Sequence, residues 1–111
     1  MRRAVRHDAG DLSHRYILEA REEVADEFGS LVTTFRPEGA IWGAPQVVRA
    51  DARLRAAQID EIVTHRITVR FRADIRPGWR LRRGSRVFEV VTAYDPDERH
   101  AWLVLETAER L

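Results

Sequence analysis

The clearest hydrophobic pattern in the chain lies between residues 63 and 72, where Val63, His65, Ile67, Val69 and Phe71 alternate with Thr64, Arg66, Thr68, Arg70 and Arg72. Successive side chains of a strand point to opposite faces. The period of two therefore predicts a strand with an apolar face on a core and an arginine face toward water, a subunit or nucleic acid. A shorter alternation, His14, Tyr16 and Leu18 against Arg15, Ile17 and Glu19, predicts an opening strand. Val32 to Trp42 is rich in Thr, Phe, Ile and Trp but contains Pro37 and Gly39, which predicts an irregular second strand, edge-like or bulged. Trp79 to Arg82, Val87 to Tyr94 and His100 to Thr107 bring the strands to six.

The polar segments between them read as turns. Glu22 to Leu31 is acidic and contains Asp26-Glu27-Phe28-Gly29-Ser30, which predicts a turn with Gly29 at positive φ and Phe28 covering the core. Arg76-Pro77-Gly78, Arg83-Gly84-Ser85 and Asp95-Pro96-Asp97-Glu98-Arg99 predict three more. The connection from Val47 to Asp60 is longer than a hairpin loop, and Ala52, Leu54, Arg55, Ala56, Ala57 and Gln58 suit one helical turn. Long connections in compact domains are often functional, so this is the candidate working loop. The expected fold is all-β: a small antiparallel β-barrel of about six strands with one long loop, over residues 12–111, preceded by a flexible polar arm at residues 1–11. Closure into a barrel would hide strand edges that otherwise invite aggregation.

At 111 residues the chain suits one domain. No run approaches the roughly 20 apolar residues of a membrane helix, and the first residues lack the apolar centre of a signal peptide, so the expectation is cytoplasmic synthesis with no membrane partner. Cysteine is absent, which excludes disulfides and thiolate chemistry. All 19 cationic side chains are arginine, as in a GC-rich genome, and arginine forks suit carboxylates and phosphates. Eight of them, Arg66, Arg70, Arg72, Arg76, Arg80, Arg82, Arg83 and Arg86, share a stretch with one acid, Asp74, although the whole chain carries only +1.

Catalytic chemistry finds no support. His7, His14, His65 and His100 show no metal-ligand spacing on a helix. The carboxylates Glu22, Glu23, Asp26, Glu27, Asp95, Asp97 and Glu98 fall in predicted turns without an apolar pocket to raise a pKa. Ser13, Ser30 and Ser85 lack a nucleophile-elbow pattern, and the glycines form no phosphate cradle. The expectation is a protein with no catalytic residue, cofactor or metal. The basic hairpin 76–86 leaves an alternative, a small nucleic-acid-binding β-barrel module. Arginine also suits protein interfaces: acidic turns of one copy meeting the basic hairpin of the next would make a head-to-tail contact that closes into a ring.

The succession of segments resembles the phage head-tail adaptor family, which includes head closure or stopper proteins of long-tailed phages. The resemblance rests on Val63 to Arg72, Ile75 and Pro77, Arg86 to Val90, and Asp95 to Arg99 before the last strand. Upstream it adds His14 to Leu18, Asp26 to Gly29 and Ile41-Trp42. It implies a connector in the neck of a phage or phage-like gene transfer agent particle, made in the bacterial cytoplasm. Such a connector would form a homo-oligomeric ring of six or twelve subunits and contact portal or adaptor proteins, tail terminator or tail tube proteins and, transiently, packaged DNA. The stopper loop of the family maps onto roughly Pro45 to Asp60. Arg49, Asp51, Arg53, Arg55 and Gln58 are therefore the candidate channel or partner residues, and Arg66, Arg70, Arg72, Arg80, Arg82, Arg83 and Arg86 the candidate basic interface.

Overall fold

The computed structural model describes residues 9–48 and 63–110. A single 3-10 turn, Ala9–Asp11, precedes six strands: β1 (His14–Ala25), β2 (Leu31–Val47), β3 (His65–Arg70), β4 (Arg80–Arg83), β5 (Arg86–Tyr94) and β6 (Trp102–Arg110). They close an antiparallel barrel in the order β1-β2-β3-β6-β5-β4, as the alternation predicts. The 3-10 turn at Ala9–Asp11 falls at the end of the segment expected as a polar arm, and Leu12 after it is buried. Residues 1–8 lie outside the described residues, as do positions 49–62 of the long connection.

The barrel interior is filled by the inward positions of every strand. Tyr16 and Leu18, Ile41, Ile67 and Val69, Leu81, Phe88 and Val90, and Leu103 and Leu105 form one cluster, joined by Ile75 from the segment between β3 and β4. Tyr16 and Phe88 meet edge to face at 5.8 Å, a favoured arrangement for aromatic quadrupoles. Each such fully buried aliphatic or aromatic side chain contributes about 1.5–3 kcal/mol. Gly43 also faces inward. A Cβ there would lie 2.8 Å from Ile67 Cγ2 and 3.2 Å from Tyr16 Cε2, so the wall reaches its neighbours only because the side chain is missing.

Three expectations need correction. The acidic segment from Glu22 is strand as far as Ala25, and the turn is confined to residues 26–30. Val24 and the run Leu31 to Phe35, rich in β-branched residues, supply strand character that the acids mask, and Arg36, held by Glu38 on its own strand, crosses to Glu22 on β1 as an ion pair. Phe28 does not cover the core; it is 86% exposed at the tip. Finally, β2 does not end at Trp42 but runs to Val47, pairing with β1 as far as Gly43 and with β3 from Gly43 onward. Pro37 pairs only with β1 and Pro45 only with β3, so each has an open side where a missing N–H costs the ladder nothing. The predicted bulge is present: between Ile17 and Glu19 the β1–β2 register slips, and Gly39, on β2 opposite the slip, takes φ +97°.

Beyond Glu19 on β1, pairing with β4 ends, and before Gly43 on β2, pairing with β3 has not begun. Residues 20–36 thus form a two-stranded arm projecting past the barrel, about 20 Å long at the usual strand rise. Its turn is organised by Asp26, whose Oδ1 accepts the N–H groups of Phe28 and Ser30 at 2.8 and 2.9 Å while Gly29 takes φ +83°.

Candidate interaction surfaces

Closing the barrel brings the basic stretch against acids far away in sequence. Arg80 donates to Glu19 Oε1 at 2.6 Å and Arg82 Nη2 lies 3.5 Å from Glu19 Oε2. Arg86 forms a two-pronged contact with Glu109 at 2.8 and 3.1 Å. Arg66 reaches Glu106 at 3.0 Å, and the same carboxylate accepts the Thr92 hydroxyl at 2.9 Å. Arg72 forks onto Asp74 at 3.0 and 2.7 Å. Of the seven candidate interface arginines, only Arg70 and Arg83 have no carboxylate partner among the described residues. Four of these arginines, Arg66, Arg80, Arg82 and Arg86, tie strand to strand, and Thr68, also on the outer side of β3, is buried beside its partner Val104.

The electrostatics follow from these contacts. The hydrogen bond from Arg86 holds the Glu109 carboxyl below its ordinary range, and Arg72 does the same for Asp74. Burial pushes the Tyr16 hydroxyl up, opposed by Arg83 and Arg86. For Asp95, partial desolvation is outweighed by backbone N–H groups led by His100, and the carboxyl is held down. It caps the β5–β6 turn, where Glu98 and His100 take positive φ and His100 stacks on Phe71 at 4.4 Å.

The histidines are dispersed. His14 lies beside the Ser13 hydroxyl and His65 packs edge-on against Phe88 at 5.1 Å. Among the described residues no three His, Asp or Glu side chains are grouped to hold a metal. The candidate loop residues Arg49, Asp51, Arg53, Arg55 and Gln58 lie outside the described residues.

Among the described residues, two surfaces combine exposed aromatic side chains with charge or further apolar side chains. One is the arm tip, where Phe28 and Leu31 are 86% and 70% exposed and Val24 and Val32 are exposed beside them. The other crosses the barrel wall. Arg15 pairs with Trp42, Arg70 pairs with Trp102, and the Gly43–Val69 pair makes Trp42 and Arg70 the next positions on β2 and β3. The outward row is therefore Arg15, Trp42, Arg70, Trp102. The Arg70 guanidinium sits 5.7 Å from the Trp102 ring centre, and Trp42 is 53% exposed. Sequence reasoning placed Arg15 and Trp42 on strands without assigning them a surface; the signal was their position one residue away from the inward Tyr16 and Ile41.

Two solved structures share this fold. Protein SF1141 from Shigella flexneri 2a, a solution structure, is 22% identical with a TM-score of 0.71, covering 93% of this chain and 96% of that one. A chain from the virion of a native gene transfer agent particle is 22% identical with a TM-score of 0.58, covering 87% of this chain and 96% of that one. No curated protein matches. The match that assigns a family runs over residues 7–110, almost the whole chain, and places this protein in the phage head completion protein family.

Proposed function

We propose that this protein is a connector of the head-tail joint in a tailed phage or gene transfer agent particle. Copies form a ring of six or twelve between the portal-adaptor complex and the tail, and packaged DNA passes through the centre. In this reading the connection between β2 and β3 reaches the channel, with Arg49, Asp51, Arg53, Arg55 and Gln58 as its DNA-facing or partner-facing residues. The reading is carried by the family match over residues 7–110. It is supported by a barrel in which Arg66, Arg80, Arg82 and Arg86 are engaged in strand-to-strand ion pairs while an apolar arm tip and the Arg15–Trp42–Arg70 row stay open, the aromatic and arginine composition that protein interfaces favour. The alternative, a nucleic-acid module built on hairpin 76–86, loses its main support because Arg80, Arg82 and Arg86 are engaged by Glu19 and Glu109.

Deleting the gene in the producing bacterium tests the proposal. DNA-filled heads without tails, leaking their DNA, should accumulate beside free tails in negative-stain images, and expression in trans should restore joined particles. Joined particles at normal numbers in the deletion strain would sink the reading.

A further inference from the structure

We infer that the β1–β2 arm of one copy docks on the Arg15–Trp42–Arg70 row of the next copy. The inference rests on the ring proposed above and names the surfaces that make it.

The arm carries the features of a ligand. It exposes Phe28 and Leu31 at a tip whose backbone is fixed by the Asp26 carboxylate, so little ordering entropy is lost on docking. Residues 20–36 hold Glu22, Glu23, Asp26 and Glu27 against Arg21 and Arg36, a formal charge of −2. Its base is anchored: the Phe35 ring lies 3.7 Å beneath the Arg80 guanidinium, which Glu19 holds from the barrel. An isolated two-strand ribbon is marginal in water, and an apolar tip on one is a liability unless it is covered in the assembled state.

The row carries the complementary features. Arg15 and Arg70 are exposed, and neither has a carboxylate within ion-pair distance among the described residues. Trp42 lies between them with half its surface open, and tryptophan with arginine is the composition of interface hot spots. Apolar tip and acid meet aromatic and cation.

The occupant is a second copy because both halves belong to one chain that cannot join them itself. Arg15 and Ala25 sit on one continuous strand, and their separation at strand rise is roughly 33 Å, so the tip points away from its own row. A projecting knob at the end of the barrel and its receptor on the wall are different surfaces. Their contact is heterologous, and repeated around an axis it closes into a ring.

The absence of cysteine makes the test clean. Particles carrying the double variant Ser13→Cys/Ser30→Cys, at exposed positions flanking the row and the tip that leave Phe28 and Trp42 in place, are treated with a short bismaleimide and run on a denaturing gel. The expected result is a ladder of covalent multimers, while either single variant stops at dimers. Rings visible in the particle neck with only monomer on the gel overturn this inference and leave the connector reading intact; necks that lack the chain altogether overturn that reading. If the double variant fails to enter particles, charge exchange decides. Arg15→Glu with Arg70→Glu, or Glu23→Arg with Glu27→Arg, should each lower joined particles about tenfold or more, and the two sets together should restore them. No restoration overturns the inference. So does salt-sensitive oligonucleotide binding by the wild-type protein that Arg15→Glu/Arg70→Glu abolishes, since the row would then belong to nucleic acid.

Discussion

The Glu19 carboxylate receives the Arg80 guanidinium at 2.6 Å on the seam that closes the barrel. That seam is short: β1 and β4 share only the pairs Ile17–Arg82, Leu18–Leu81 and Glu19–Arg80. Leu18 and Leu81 are fully buried beneath it, and Glu19 itself is 6% exposed. A buried carboxylate is tolerated while its cations stay, so removing the cation costs more than removing the pair. Arg80→Ala should destabilise the domain by about 2 kcal/mol, below the usual cost for a fully buried pair because Arg82 remains near and water reaches the guanidinium. Adding Glu19→Leu should recover at least half of that loss. Urea unfolding of the two variants measures it, and a neutral Arg80→Ala would show that the pair does not hold the seam.

Much of the barrel was legible because inward positions on β3 and β6 recur with period two, and that period survives whatever lies on the outer face; on β5 it holds for Phe88 and Val90 and then shifts at the irregularity before Thr92. The arm was not legible. Glu22, Glu23, Asp26 and Glu27 read as a solvated turn, and nothing local shows that Val24 faces Val32 and Arg36 reaches Glu22. The ion pairs were hidden for a different reason. Arg66 and Glu106 are 40 positions apart and Arg80 and Glu19 are 61, so the local excess of arginine gives no sign of the acids that strand order brings beside it.

Gly43 faces Ile67 and Tyr16 across the interior, with Thr68 O 3.3 Å from where its Cβ would stand. The substitution Gly43→Ala should cost about 1–3 kcal/mol by overpacking, despite alanine's stronger backbone preferences. Thermal unfolding checks it, and an unchanged Tm would mean that the wall yields.

Ile67 is fully buried between Pro45 on β2 and Leu105 on β6. Ile67→Asp places an unpaired carboxylate in the core at a cost of several kcal/mol, comparable to the whole stability of a small domain. The variant should be unfolded by circular dichroism and near-ultraviolet spectra. A soluble variant with wild-type melting would contradict the assignment of β3 to the core.

The depressed carboxyls set the response to acid. Glu109, held down by Arg86, and Asp74, held down by Arg72, have folded pKa values below their unfolded ones. Their contribution is therefore fully present above the ordinary carboxylate range and is lost as pH falls through the depressed folded values. Glu109→Gln should lower stability at pH 7 by no more than about 1 kcal/mol, since Arg86 is half exposed and solvent screens the pair. The same variant should flatten the fall in stability on acidification, read by urea unfolding between neutral and strongly acidic pH; an unchanged slope would assign the acid response to other carboxyls.

Phe28 separates folding from assembly. Its ring is 86% exposed and the turn beneath it is held by Asp26, so Phe28→Ser removes no buried contact from the isolated domain. The purified variant should unfold within about 0.5 kcal/mol of the wild type, as surface substitutions do. In the producing bacterium the same change should cut joined particles severely, because an aromatic anchor at the centre of an interface carries about 2 kcal/mol or more of its binding energy. Counting tailed against tailless heads gives the readout, and normal joining by a variant with wild-type stability would show that the tip meets nothing.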